Sequence, residues 1–600
     1  MRRTWISMSA AAALCLSALL HAAALPPPKA SAGPAEARSA REGGPASVVD
    51  AAMQGNKDAV RALLKQGADV NTAQGDGMTA LHWAAQKGDV DLAKTLLYAG
   101  ANVKAATRVG GYTPLLLASR NGNADMIQAL VAGGADPRSA TMNGTTALMF
   151  AAQAGYPDAV AALIARGADV NAKEKVKGET ALMIAAAYGR AEVIRVLTAK
   201  GADVKVTTKV MDLAAFNKEE QERFLQFQQQ QQAAQAQAAA RGGPPVEPPR
   251  NLGGGRGFNP NAKPGIERQY NYTELVAYWG GMAPLHFAAR QGQIDAARAL
   301  LDAGADVNQR TAGDHATPML VATINGQFDL AKLLLDRGAD ANLAQHNGVT
   351  PLYAALNCQW SAKALYPQPR AFEQQQTSYL DLMKALLDKG AEPNVRLTKK
   401  VWYAQYDFDQ SGVDEIGSTP FWRAAYASDV DAMKLLIAYG ADPNIPTSKG
   451  AGRPRTGDIG ERAVQDISNL PPIPVGGPGV PPLLAAAGQG YGEGFAANHH
   501  RYAPGGMLAA VKYLVEELHV DVNAREHEGN TAIHNAAARG DNEMILYLIS
   551  KGADPKIVNR AGQTTVDMAN GPVQRISPFP ETIKLLEGMG VKNNHKCVGC

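Results

Sequence analysis

The feature that most constrains this chain is a short motif that keeps returning. Gly77-Met78-Thr79-Ala80-Leu81-His82-Trp83-Ala84-Ala85-Gln86-Lys87-Gly88 is followed by Leu96-Leu97-Tyr98-Ala99-Gly100-Ala101-Asn102-Val103. Its opening comes back as Gly111-Tyr112-Thr113-Pro114-Leu115, Gly144-Thr145-Thr146-Ala147-Leu148 and Gly178-Glu179-Thr180-Ala181-Leu182. It comes back again as Met282-Ala283-Pro284-Leu285-His286, Ala316-Thr317-Pro318-Met319, Gly348-Val349-Thr350-Pro351-Leu352, Ser418-Thr419-Pro420-Phe421 and Gly529-Asn530-Thr531-Ala532-Ile533-His534. A closing element recurs as Gly67-Ala68-Asp69-Val70-Asn71, Gly167-Ala168-Asp169-Val170-Asn171, Gly304-Ala305-Asp306-Val307-Asn308, Gly338-Ala339-Asp340 and Gly440-Ala441-Asp442-Pro443-Asn444. Where nothing interrupts it the period is about 33 residues, which belongs to stacked repeats rather than to one closed core.

Each residue type has a job in such a unit. Threonine ahead of Pro or Ala suits a helix N-cap, and Pro suits the first turn. Leu, the Ala pair and the later Leu pair fall at helical spacing on two short helices, and the small alanines let helices approach. Glycine after the second helix is placed for a left-handed cap, and the Asp/Asn-rich stretch beyond it supplies turn chemistry for a finger. One unit cannot bury its apolar face alone, whereas a stack buries a continuous core. The expected fold is an all-α repeat solenoid of helix–turn–helix units with short β-hairpin fingers. It should hold about twelve units, the terminal ones degenerate as caps.

These motifs resemble the ankyrin-repeat family over roughly residues 46–590, with insertions. The resemblance implies an extended concave surface of fingertips and inner helices that binds protein. Family usage would put contacts at Met78, Gln86, Lys87, Tyr112, Arg120, Asn121, Thr145 and Glu179.

Four insertions break the period, and long loops in compact proteins are usually functional or disordered. Residues 209–279 open with Met211 to Ala240, whose Gln, Ala and Glu read as an exposed helix. They continue through Gly242-Gly243-Pro244-Pro245 into a flexible linker. Asn357 to Ser378 separates the helices of one unit, Leu397 to Gly417 enlarges a finger, and Thr447 to Pro481 is Pro/Gly-rich, with Gly488 to Gly506 interrupting the next helix pair. The region 357–506 also holds Trp360, Trp402, Tyr403, Tyr406, Phe408, Trp422 and Tyr426. Exposed at loop tips these would be binding anchors; packed beneath the loops they would be satellite cores. The core position of the first helix is apolar at Trp83, Leu117, Phe150 and Ile184 but becomes Ala354, Arg423 and Asn535 later. On this reading 46–208 is the stable scaffold. Residues 345–525 are then the recognition surface, with Trp402, Tyr403 and Tyr406 as its leading contacts.

The start of the chain reads as a signal peptide over 1–24: Arg2 and Arg3, an apolar run Ile6 to Leu20, then Ala22-Ala23-Ala24. A disordered leader follows over 25–45, and the expected location is periplasmic or secreted, with no stable membrane insertion after cleavage. A formal charge of +3 gives no global field for nucleic acid. Cleavage would leave Cys358, Cys597 and Cys600, too few for a disulfide framework. The tail 591–600 ends in His595-Lys596-Cys597-Val598-Gly599-Cys600, open to a disulfide between Cys597 and Cys600, half a zinc site, a redox pair or a haem-motif remnant. Asp407 to Gly412 matches the first half of a calcium loop, with Glu415 at the ninth position, but Ser418 stands where a bidentate Glu belongs. His82, His286 and His534 share one repeat position, which suits structural hydrogen bonding. No nucleophile elbow, phosphate loop or zinc-protease helix is visible. The expected function is a non-enzymatic protein–protein scaffold outside the cytoplasm, without a cofactor, running through repeats at 46–208 and 280–590. The alternative is a redox- or metal-linked accessory protein that works through Cys597 and Cys600.

Overall fold

The computed structural model describes residues 47–597 apart from 221, 224–225, 228–262, 269, 271, 361–369, 402–412, 452–465, 491–500 and 572–576. Among them are twelve helix pairs, here units 1–12. The first helices are Val48–Gln54, Ala80–Lys87, Pro114–Arg120, Ala147–Ala154, Ala181–Ala187, Pro284–Gln291, Pro318–Ile324, Pro351–Gln359, Pro420–Tyr426, Pro482–Ala486, Ala532–Ala537 and Thr565–Ala569. The second helices of units 1–6 are Lys57–Lys65, Val90–Tyr98, Ala124–Ala132, Pro157–Ala165, Ala191–Ala199 and Ile294–Asp302. Those of units 7–9 are Phe328–Asp336, Tyr379–Asp388 and Val430–Ala438. Unit 10 has Gly506–Lys512 running into a π-helical turn at Tyr513–Glu517, and units 11 and 12 close with Asn542–Ser550 and Pro580–Gly588.

The expected caps are in place. Thr317 and Thr419 accept the N–H of Leu320 and Trp422 at 3.2 Å. Gly67 and Gly304 stand at φ +83° and +87° beyond their second helices, a conformation that costs a residue with a Cβ. The alanine pairs Ala84-Ala85, Ala288-Ala289 and Ala536-Ala537 are wholly buried. First helices pack on first helices and second on second along the stack.

The insertion at 209–279 does not divide this stack. The first and second helices of unit 5 pack directly on those of unit 6. The inserted chain leaves from a finger through two paired strands, β1 (Val210–Asp212) and β2 (Tyr278–Gly280), antiparallel with Val210 opposite Gly280 and Asp212 opposite Tyr278. Residues 213–220 are helical and mostly exposed, as the composition suggested. On its return the insertion ties Arg268 to Glu274 at 2.7 and 2.8 Å and sets the Tyr270 ring beneath the Lys399 ammonium at 5.2 Å.

Fingers are less sheet-like than expected. Most turn without ladder pairing, some closing on a single bridge such as Ala73 to Thr79 or Ala140 to Thr146.

The later units are not hollow, which overturns the expectation drawn from Ala354, Arg423 and Asn535. All three are buried. The Arg423 guanidinium donates from Nε to the Asn357 side chain and from Nη2 to the Trp360 carbonyl, both at 2.8 Å. Asn535 donates to the Leu484 carbonyl at 3.2 Å and to Gln489 at 2.9 Å. Hydrogen-bonded polar groups replace the apolar plug, so their burial costs little. Trp360, Trp422 and Tyr426 are buried too and belong to the core rather than to exposed tips. Trp360 donates its indole N–H to Asp429 at 2.7 Å, and Trp422 donates to the Val480 carbonyl at 2.8 Å. Trp402, Tyr403, Tyr406, Phe408 and the Asp407–Gly412 loop lie outside the described residues. So do the segments expected as signal peptide and leader.

Candidate interaction surface along the fingers

Successive fingers are bonded to one another through their backbones. The tip N–H of Arg108 donates to the Asp76 carbonyl at 2.8 Å, Met142 to Gly110 at 3.3 Å, Lys175 to Asn143 at 3.0 Å and Lys209 to Lys177 at 2.8 Å. Beyond the insertion the series continues with Ala312 to Gly281 at 3.1 Å, His346 to Asp314 at 3.0 Å, Thr398 to Asn347 at 2.9 Å and Ser448 to Ile416 at 2.6 Å. Arg560 to Glu528 at 2.8 Å repeats the contact between the last two fingers. A polar group already bonded in its finger and to the next one leaves little freedom at the tip, so the row is fixed before any partner arrives.

At the root of the finger the Asn of the closing element makes a second link, which was read from sequence only as turn chemistry. Asn308 donates Nδ2–H to the Gly338 carbonyl at 3.3 Å and accepts the Asp340 N–H at 2.8 Å. Asn71, Asn171, Asn342, Asn394 and Asn523 make the same two bonds to the next unit. Arg138 stands at that position in unit 3 and still reaches the Gly167 carbonyl at 3.0 Å.

Two of the three repeat histidines, His82 and His286, join caps to fingers, and His534 holds its cap. His82 Nδ1 accepts the Thr79 N–H at 3.1 Å, and its Nε2–H donates to the Tyr112 carbonyl of the next finger at 3.0 Å. His286 does the same between Ala283 and Ala316, at 3.2 and 3.1 Å. His534 Nδ1 accepts the Thr531 N–H at 3.2 Å. An accepting Nδ1 requires a neutral ring, and burial pushes all three rings down, His534 to about 4.

The residues expected to touch a partner divide. Met78 is buried in the core and offers no contact surface. Tyr112 is half-buried, its ring tilted against Phe150 at 5.9 Å. Thr145 and Glu179 are half-buried. Arg120, Gln86 and Lys87 are exposed, but at the far ends of first helices, about 10 Å of helix away from the fingers. Asn121 beside them is spent on a link between units, donating to the Gln86 carbonyl at 2.6 Å. Cys597 is disulfide-bonded, Cys358 is a half-buried thiol, and Cys600 lies outside the described residues. Glu415 and Ser418, assigned above to a calcium loop, are buried.

What the sequence reading missed is at the tips. The residues at or beside the bonded tip N–H are Val109, Met142, Val176 and Val210 in four consecutive fingers, 82%, 68%, 65% and 43% exposed. A basic residue precedes three of them: Arg108-Val109, Lys175-Val176 and Lys209-Val210. That recurring pair was the available signal.

Family models described as ankyrin repeats match residues 48–141, 115–208, 285–396, 416–448 and 513–569. With the stacked helix pairs and bonded fingers, these matches define the class: the chain belongs to the ankyrin-repeat proteins, whose repeats are protein-interaction modules. Among curated proteins, a 51-residue stretch is 41% identical to oxysterol-binding protein-related protein 1 of Rattus norvegicus and of Mus musculus. That stretch is 8% of this chain and 5% of each relative's length. The likeness therefore extends over one or two repeats and no further. Among the described residues no helix is long and apolar enough to cross a membrane.

Proposed function

We propose that the chain is a non-enzymatic scaffold that works outside the cytoplasm, in the periplasm or secreted, and holds a partner protein on its fingered side. The observation that carries this is the row of backbone-bonded fingers, a long preformed surface whose tips in units 2–6 are apolar and bare. Its buried histidines and Arg423, and the linking asparagines, are committed to capping and joining units, which supports binding rather than catalysis. Arg2, Arg3, the run Ile6 to Leu20 and Ala22-Ala23-Ala24 support export.

The test is to crosslink the full chain in the envelope fraction, identify the partner protein, and sequence the N-terminus of the recovered chain. One discrete crosslinked partner, and a chain that begins near residue 25, is the expected result. A start at Met1 in the cytosol, or no partner, overturns the reading.

The disulfide state of Cys597 supports a second reading, in which a terminal cysteine pair does redox work while the solenoid positions it. Replacing Cys597 and Cys600 by Ser decides it: an unchanged phenotype and partner yield removes the redox role.

A further inference from the structure

We propose that the tips of the four fingers between units 2 and 6 form one docking strip for an acidic polypeptide segment with interspersed apolar side chains. The inference deepens the scaffold reading and rests on it.

Single exposed apolar residues are ordinary on a protein surface; a run of them at equivalent positions is not. Val109, Met142, Val176 and Val210 stand at or beside the same finger-to-finger hydrogen bond, and the run is confined to these fingers. At the bonded tips that follow, the chain has Ala312-Gly313, His346-Asn347, Thr398-Lys399, Ser448-Lys449 and Arg560-Ala561. Exposed Met211, Tyr278 and Trp279 on the strand pair extend the strip at its far end.

The charge beside the strip is basic and largely uncommitted. Arg108 and Lys175 are exposed, and neither side chain has a partner among the described residues. Lys209 reaches only the Lys175 carbonyl. Lys177 is a loose 4.0 Å from Glu179. The carboxylates beside the strip are taken up by backbone or half-buried: Glu174 accepts the N–H groups of Val176 at 2.6 Å and Glu179 at 3.1 Å, Asp76 and Asp212 accept those of Met78 and Ala215 at 2.9 Å, and Glu179 is half-buried. A segment laid across these tips would meet alternating apolar and cationic side chains, so its complement is apolar and acidic.

Later fingers are crossed by the chain itself. The returning insertion sets Tyr270 on Lys399, and the end of the fourth insertion binds the last finger through Asp466 to Arg560 at 2.8 Å and the Pro471 carbonyl to Arg560 at 2.6 Å. Among the described residues the bare row is the one in units 2–6.

The experiment uses the full chain and three synthetic peptides that share one pattern of Leu and Val and differ only in the residues between them: Glu, Lys or Ser. Fluorescence anisotropy is followed at low and high salt. The Glu peptide is expected to bind, more weakly at high salt, and the Lys and Ser peptides at least about tenfold more weakly. Met142→Ser with Val176→Ser should lower Glu-peptide affinity about tenfold or more, as should Arg108→Glu with Lys175→Glu. The charge-reversed variant should gain binding to the Lys peptide. Tyr98→Ser, at an exposed site on a second helix, should change nothing, and unchanged circular dichroism shows that the variants fold. Equal binding of all three peptides, no binding of the Glu peptide, or indifference to the tip substitutions overturns the strip. If the partner crosslinked from the envelope is retained by the tip variants, the scaffold reading stands and the strip alone fails. If no partner crosslinks while the Glu peptide binds at the tips, the strip stands and the scaffold reading fails.

Discussion

At the scale of single residues, the groups that hold units together are polar, half-buried or exposed at the asparagine links and buried at the histidines, and this makes two measurable claims. The Asn308 side chain makes two bonds to the next unit, so Asn308→Ala should cost about 1–2 kcal/mol, read as a lower urea midpoint with no change in slope. The histidines set a pH dependence. His82, His286, His346 and His534 have lowered values in the folded chain, in each case because burial penalises the charged ring. The unfolded chain therefore binds more protons below about 6.5, so this stability is complete above that pH and lost as pH falls towards 4. For His534, displaced from 6.5 to about 4, it is worth roughly 3 kcal/mol at ~1.4 kcal/mol per pH unit. His527 acts in the opposite sense: burial opposes its charge, but Glu526 at 3.0 Å raises it overall, so its contribution is lost as pH rises. Thermal unfolding should show Tm falling between pH 6.5 and 5, less steeply in His534→Asn. A Tm that rises over that interval contradicts the account. These roles were half legible. A histidine repeated at one position announces a structural bond, but the Asn links need the next unit in place to be seen.

At the scale of elements, the helices were legible because their signals are local: a Thr cap, Pro in the first turn, paired alanines, a glycine stop. The fate of the inserted regions was not, because it depends on which side chains meet across units. Trp422 reads equally as an exposed anchor or a satellite-core residue until the Val480 carbonyl is found beneath its N–H. Arg423 reads as a lost core residue until Asn357 and the Trp360 carbonyl are found around its guanidinium. Arg423→Ala should therefore destabilise by about 2–3 kcal/mol by orphaning buried partners, whereas Arg120→Ala, exposed, should change stability by less than about 0.5 kcal/mol. Asp212 and Tyr278 are paired across the base of the first insertion, so residues 213–277 can be replaced by an Asn-Gly turn. Because units 5 and 6 already pack on each other, the shortened chain should still unfold in the same transition as the full one. Two separated calorimetric transitions in the shortened chain would show that the insertion holds two stacks together.

At the scale of the whole molecule, the fold is one array in which most described fingers are bonded to the next, and function follows from what that row leaves uncovered. Sequence reasoning placed recognition in 345–525 because insertions and aromatics gather there. Three of the aromatics singled out there, Trp360, Trp422 and Tyr426, are consumed by the core, while Tyr502 stays exposed, and apolar tips with uncommitted cations stand bare in units 2–6. Val109, Met142 and Val176 escaped notice in the sequence because equivalence between tips is set by the backbone bond from finger to finger, which a motif cannot display. The most direct test is site-specific photocrosslinking in the native envelope, with the photoreactive residue placed in turn at Met142, Val176, Tyr98, Trp402 and Tyr406. The account predicts a shared partner band from Met142 and Val176 and none from Tyr98. A band from Trp402 or Tyr406 with none from Met142 or Val176 would contradict it and return recognition to the inserted loops.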